Sequence, residues 1–235
     1  GIKSPILKDV KKGEVVTILE VDEKWTKVCS EDGIVGYIQS NKVKNTEAKT
    51  LASEYIAETF NHIKLDKTIN FLWHPVFSMN ANKEISTILS TTKGVDVLSP
   101  SWFKPKDNNG NITSLASSDY VKYAHDHNVE VWGMVKNFDL DSSSIDVNYI
   151  LTHTSSRQNL VKQLVAQAYQ YNLDGLNIDF ESLDESIIGD AYIQFLRELS
   201  IECEKFDLLL STAVHIPASF NRVYKYHEQV DFVDY

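Results

Sequence analysis

The run Asp174-Gly175-Leu176-Asn177-Ile178-Asp179-Phe180-Glu181 constrains this chain more than any other stretch. It reads as a single β-strand that ends in acids. Side chains alternate between the two faces of a strand. Leu176, Ile178 and Phe180 therefore share an apolar face, and Asn177, Asp179 and Glu181 share the opposite one. Ahead of the strand, Arg157 to Asn172 carries Leu160, Val161, Leu164, Val165, Ala168 and Tyr169 at helical spacing. A second helical run, from about Ser186 to Phe206, follows it. Helix–strand–helix predicts a central strand of a parallel α/β sheet with both faces covered. The acids are then expected to be buried together. Two carboxyls on one buried face disfavour double ionisation, so one is expected to hold a proton near neutral pH, as a general acid does. A solvated edge strand is the bland alternative, and the helical flanks argue against it. In a barrel of parallel strands, chemistry sits at the C-terminal strand ends, which is where Glu181 falls.

The spacing of Asp174, Asn177, Asp179 and Glu181 resembles the signature Asp-x-x-Asp-x-Asp-x-Glu of family 18 glycoside hydrolases. Asn177 departs from it, standing where the first Asp of the inner pair is usual. The resemblance implies an α/β fold, a (β/α)8 TIM-type barrel. It also implies substrate-assisted retaining cleavage of β-1,4-linked N-acetylglucosamine polymers, an exception to the usual two-carboxylate scheme. By that resemblance Glu181 protonates the glycosidic oxygen and then activates water. The nucleophile is the acetamido oxygen of the substrate, and Asp179 holds the acetamide N–H and stabilises the cationic intermediate. Asn177, the third catalytic candidate, can still hydrogen-bond a carboxylate, and it removes one negative charge beside Asp179. The strand rise independently sets Asp179 and Glu181 about 7 Å apart on one wall. That is side by side, not opposed across a sugar ring. Asp174 has the opposite parity and is expected to serve the turn and the backbone.

Residues 1–43 read as β only. Val15 to Leu19, Trp25 to Val28 and Ile34 to Ile38 are the expected strands, and Asp32-Gly33 is a hairpin signal. Lys12-Gly13-Glu14-Val15-Val16, Trp25-x-x-Val28 and Asp32-Gly33-x-x-Gly36-Tyr37-Ile38 resemble the bacterial SH3-like domain, without its expected first strand. That family often binds cell walls or packs on a neighbouring enzyme. Trp25 and Tyr37 fit a core and a binding surface equally well. Residues 44–67 read as a polar linker with a short helix near Ala52 to Phe60.

Residues 68–235 form the expected catalytic domain. Strands are expected at Ile69 to His74, Val95 to Leu98, Val129 to Val135, the central run, Leu208 to His215 and the start of a sixth at Val230. Helices are expected at Lys83 to Thr91, Ser117 to His127 and Phe220 to Gln229 besides the two flanking the central strand. Such barrels run to eight strands and about 250 residues. The barrel is therefore expected to be truncated after its fifth β/α unit, with a genuine open α/β sheet of about six strands as the competing reading.

Strand ends supply further substrate-binding candidates. Trp102 follows the second strand and offers an aromatic face for a sugar ring. Asn137 ends the third strand and is placed to bond a sugar hydroxyl or acetamide. His215 ends the fifth strand on the face of the small residues Ser211 and Ala213. Core packing is the competing role for Trp102 and His215. No metal site or cofactor is expected: the histidines of His125-x-His127 diverge on a helix and read as surface, and no phosphate loop or Cys-x-x-Cys occurs. Cys29 and Cys203 read as unpaired. A net charge of −10 without a basic cluster argues against nucleic acid, and no apolar run reaches membrane-spanning length.

The expected partner is an N-acetylglucosamine polysaccharide, with peptidoglycan or spore cortex favoured over chitin by the company of the SH3-like domain. Cell-wall contact through that domain is the second expected partnership. The expected location is secreted or associated with the wall or spore. A chitinase or chito-oligosaccharide hydrolase, a catalytically inactive sugar-binding barrel, and an interaction module led by the SH3-like part are the rivals.

Overall fold

The computed structural model describes residues 4–44, 59–183, 185–214 and 226–235. The chain divides into two compact units, residues 1–57 and 58–235.

The first unit is an antiparallel meander of β1 (Val16–Val21), β2 (Trp25–Ser30) and β3 (Val35–Gln39) in that order. The β2–β3 turn needs a left-handed residue, and Gly33 supplies it at φ +85°. Ser30 Oγ donates to Asp32 Oδ1 at 2.6 Å inside that turn. Thr26 and Val28 are buried, whereas Trp25 and Tyr37 are 38% and 63% exposed. Both rings thus belong to the surface. They border a groove of about 640 Å³ together with Pro5, Leu7 and Val35.

Among the described residues, the second unit is built on five parallel strands. In chain order its elements are β4 (Phe71–His74), α1 (Ile85–Thr91), β5 (Val97–Pro100), β6 (Phe103–Pro105), β7 (Ile112–Ser114), α2 (Ser118–Asp126), β8 (Glu130–Lys136), α3 (Val147–Thr152), α4 (Thr154–Tyr171), β9 (Gly175–Asp179), α5 (Glu185–Glu204), β10 (Leu209–Thr212) and α6 (Tyr226–Gln229). The parallel strands lie in the order β4-β5-β8-β9-β10, so each new strand is added at the same side. Ser117 caps α2 by accepting from Tyr120 N, and Asp146 caps α3 by accepting from Tyr149 N. Asn172 ends α4 in the left-handed conformation at φ +55°. Between α4 and α5, Arg157 grips Glu198 with two hydrogen bonds of 3.0 and 2.9 Å and reaches the Leu151 carbonyl at 2.7 Å. The β6–β7 hairpin, joined through the Asp107–Gly110 turn, was not expected from the sequence.

Register sorts the side chains into two layers. Leu98, Val131, Val135, Leu176, Ile178 and Leu210 point to the helices and are essentially inaccessible. On the other face Val97, Trp132 and Leu209 form a smaller core, with Ile63, Leu65, Ile69 and Phe71 packed against it. That second core floors the concave side of the sheet. Past β10, no strand is assigned within 230–235, but Asp234 N bonds Leu210 O at 2.7 Å and Thr212 N bonds Tyr235 O at 3.0 Å. The expected sixth strand thus begins as backbone pairing alone. Of the expected Phe220–Gln229 helix only Tyr226–Gln229 lies within the described residues. Both cysteines are free.

His74 closes β4 among helices. It is 4% exposed, its Nδ1 lies 2.9 Å from Tyr120 Oη, and its Nε2 has no hydrogen-bond partner among the described residues. Glu84 Oε2, on an exposed side chain, is 3.8 Å from Nε2. Burial holds the imidazole pKa below its ordinary 6.5, against the pull of Glu84. The native state therefore binds fewer protons than the unfolded chain below that value, so stability rises with pH through this window. Asp234, raised by burial, acts with the opposite sign. We expect His74→Gln to flatten the rise in stability from acid to neutral pH; equal pH slopes for the two proteins in urea titrations at pH 5, 6 and 7 would refute this.

Candidate active site

Strand β9 carries the site, and it is anchored at both ends. At its start, Asp174 Oδ2 accepts from Val131 N at 2.8 Å and contacts His125 Nε2 at 2.8 Å, while its carbonyl takes Leu209 N at 3.0 Å. One residue thereby ties β9 to β8, β10 and α2, the structural role expected of it. His125, expected on the surface, is half-buried by this pairing. At the far end Phe180 is 4% exposed and stacks on Phe195 of α5, with centroids 5.7 Å apart and ring planes nearly parallel. The apolar side chain between the two acids is thus rooted in the helix layer.

Burial is graded along the opposite face. Asn177 is 3% exposed, Asp179 is half-buried, and Glu181 is exposed. The acids are therefore not buried together as the sequence suggested. The deepest position holds an amide, which avoids the cost of a buried charge. Asn177 Nδ2 donates to Ser211 Oγ at 2.8 Å, and its Oδ1 accepts from Trp73 Nε1 at 3.3 Å. The amide links β4 to β10 across the concave face. It also orients Trp73, a half-exposed ring that the sequence reading passed over. The signal was available: Trp73 shares parity with Phe71, an inner-face residue in register with Val97.

Glu181 lies two residues past the last residue of β9, yet its backbone is fixed. Its N–H donates to Asn137 Oδ1 at 2.8 Å, and its carbonyl accepts from Asn137 Nδ2 at 2.8 Å. The side-chain amide imitates a peptide of a neighbouring strand and extends the β8–β9 ladder beyond its last residue pair, Lys136 with Asp179. Ser182 then turns the chain away at φ +55°.

Two candidates thus take other roles. Asn137 uses both amide atoms on Glu181 rather than offering them to a sugar. Trp102 is 2% exposed, its Nε1 donates to Asn82 Oδ1 at 2.8 Å, and its ring packs edge-on against Tyr120 at 5.0 Å. A ring enclosed in this way has no face for a sugar, so the core role holds. His215 lies outside the described residues. Among the described residues no group of three or more His, Cys, Asp or Glu converges on a metal position, and no helix is long and apolar enough to cross a membrane.

Residues 33–235, most of the chain and all of this site, match the sequence pattern of glycosyl hydrolases family 18. The chain belongs to that family. Residues 4–43 match the bacterial dipeptidyl-peptidase SH3 domain. The fold of this family 18 protein is that of solved relatives with a TIM-barrel-like architecture. The spore cortex-lytic enzyme SleL of Bacillus cereus aligns at TM-score 0.59 and 18% identity, over 70% of this chain and 39% of that one. The C-terminal domain of a chitinase, so described, from Desulfitobacterium hafniense DCB-2 aligns at TM-score 0.55 and 18% identity, over 71% and 50%. Among curated sequences, the uncharacterized glycosylase YvbX of Bacillus subtilis (strain 168) is 24% identical over 115 residues, 48% of this chain and 33% of YvbX. The chain therefore spans half or less of the length of these relatives.

Proposed function

We propose that the protein is a glycosidase that cleaves β-1,4-linked N-acetylglucosamine polymers, bacterial wall or spore-cortex glycan in preference to chitin. The observation that carries this reading is the inner face of β9: an exposed Glu181 with its backbone held, beside a half-buried Asp179. Glu181 protonates the leaving oxygen and then activates water. Asp179 orients the substrate acetamide, whose oxygen attacks the anomeric carbon. Trp73, tied to Asn177, offers its exposed face to the sugar ring. In this reading the five parallel strands are the first five of an eight-stranded barrel.

The company of an SH3 domain and the likeness to a cortex-lytic enzyme and to a glycosylase support the wall as target. The same company supports action outside the cell or at the spore. The exposed Trp25 and Tyr37 of the first unit are the surface for wall contact.

The experiment uses the complete protein on two matched oligosaccharides. One carries N-acetylglucosamine at the reacting ring and the other carries unacetylated glucosamine. Cleavage restricted to the acetylated sugar is the expected result. Equal cleavage would exclude substrate assistance, and binding without cleavage would favour the sugar-binding barrel.

Asn177 gives a second test. Asn177→Asp keeps the shape and leaves Ser211 free to donate, but it places a charge at a 3% exposed position beside Asp179. Like charges disfavour joint ionisation. The acid limb of the kcat profile should move to higher pH, with a severalfold loss at neutrality. An unchanged profile would mean that the two positions are not coupled.

A further inference from the structure

Lys136 is a buried cation that the chemistry above does not use. It closes β8 at 5% exposure, and its register partner on β9 is Asp179. Paired residues of a parallel ladder point to the same side, so Lys136 shares the inner face of Asn177 and Asp179. Its Nζ lies 5.5 Å from the Phe77 ring centroid and 5.1 Å from that of Phe138. Aromatic faces attract an ammonium, but its three N–H donors still seek oxygen acceptors. Among the described residues one carboxylate oxygen lies within 4 Å of it, Asp139 Oδ2 at 3.4 Å, which is longer than an ordinary charge-assisted bond. The Asp139 side chain is 65% exposed, so this partner is a surface group that another anion can displace. A buried charge with so loose a partner is costly, and an apolar side chain of similar volume fills a barrel wall without that cost.

We propose that Lys136 recognises an anionic substituent on the glycan, the lactyl carboxylate that distinguishes N-acetylmuramic acid from N-acetylglucosamine. This rests on reading the site as an N-acetylglucosaminyl hydrolase. The substrate carboxylate replaces that of Asp139 on the ammonium, beside the Phe77 and Phe138 rings. Chitin carries no group for this position. Lys136 is thus a specificity residue that favours wall glycan.

The test uses the complete protein and two oligosaccharides of alternating N-acetylglucosamine and N-acetylmuramic acid. One has free lactyl carboxylates, and the other has them converted to neutral N-methylamides. Wild type is expected to favour the acid form about tenfold or more in kcat/KM, mainly through KM, as loss of a charge-assisted bond implies. Lys136→Met is expected to bring that ratio close to one, and Lys136→Arg to retain most of it. Equal treatment of the two sugars by wild type overturns the inference, whatever the variants do. So does a folded Lys136→Met protein that keeps the preference. If Lys136→Met fails to fold, the wild-type ratio decides with Lys136→Gln. If wild type cleaves neither sugar, the hydrolase reading falls by itself, and calorimetry then judges Lys136. Carboxylate-selective binding lost in the variant supports the inference, and equal binding or none overturns it.

Discussion

Replacing Glu181 by Gln is expected to lower kcat on a chromogenic β-linked N-acetylglucosamine oligomer by about a thousandfold. General acid–base groups contribute roughly 10²- to 10⁴-fold, and Gln has nearly the same shape but no acidic proton to give. Stability should be unchanged, because Glu181 is exposed and the bonds that position it come from its backbone. Binding of the oligomer should survive as well, since the substitution leaves Trp73 and Asp179 in place. A folded variant that retains activity within tenfold of wild type would remove Glu181 from the mechanism. The measurement requires the complete protein, because the residues here span half or less of the relatives they match.

The second large effect is expected at a residue that need not touch substrate. Asn137→Ala should reduce kcat by about 30- to 100-fold with KM little changed. Both amide bonds to Glu181 are lost, and the peptide groups beyond β9 turn to water instead. A displacement of 1 Å at a reacting group can cost about 10²-fold. The stability loss should be modest, about 1–2 kcal/mol for two partly exposed bonds. Asn137→Asp distinguishes positioning from simple loss of packing. Its carboxylate still accepts from Glu181 N but cannot donate to Glu181 O, so its kcat should fall between those of wild type and Asn137→Ala. Equal kcat in all three proteins would show that the clip is dispensable. A rise in KM without a fall in kcat would return Asn137 to the sugar-binding role.

Local periodicity made much of this architecture legible. Leu176, Ile178 and Phe180 against Asn177, Asp179 and Glu181 is a period of two, and a strand between two helices leaves few placements for it. A hydroxyl at Ser117 or Ser118 ahead of an apolar-periodic run is a helix-start signal for α2, and Ser117 takes the role by accepting from the amide of Tyr120. The hairpin of β6 and β7 escaped because each strand has three residues and β6 ends in Pro105, which weakens any strand signal.

The site was less legible where contacts are long-range. Nothing near Asn137 signals that its amide meets a backbone 44 residues later. Nothing near Trp102 signals that Asn82, in the short helical turn ahead of α1, accepts its indole N–H. Both are strand-end residues, and strand ends send some side chains to the pocket and others to the core. Trp73 was overlooked for a related reason. In the sequence it is one apolar residue among several, and only its partnership with Asn177 across the concave face sets it apart.

The four tryptophans also give the chain an optical consequence. Trp102 and Trp132 are 2% and 1% exposed, whereas Trp25 and Trp73 are 38% and 51% exposed, one in each compact unit. A soluble quencher such as iodide reaches the exposed pair and leaves the enclosed pair emitting. With Trp25 changed to Phe, the quenchable emission reports on the concave face of the sheet alone. A sugar that covers the Trp73 ring then protects that emission, so occupancy becomes readable from the native fluorophores without labels and without turnover.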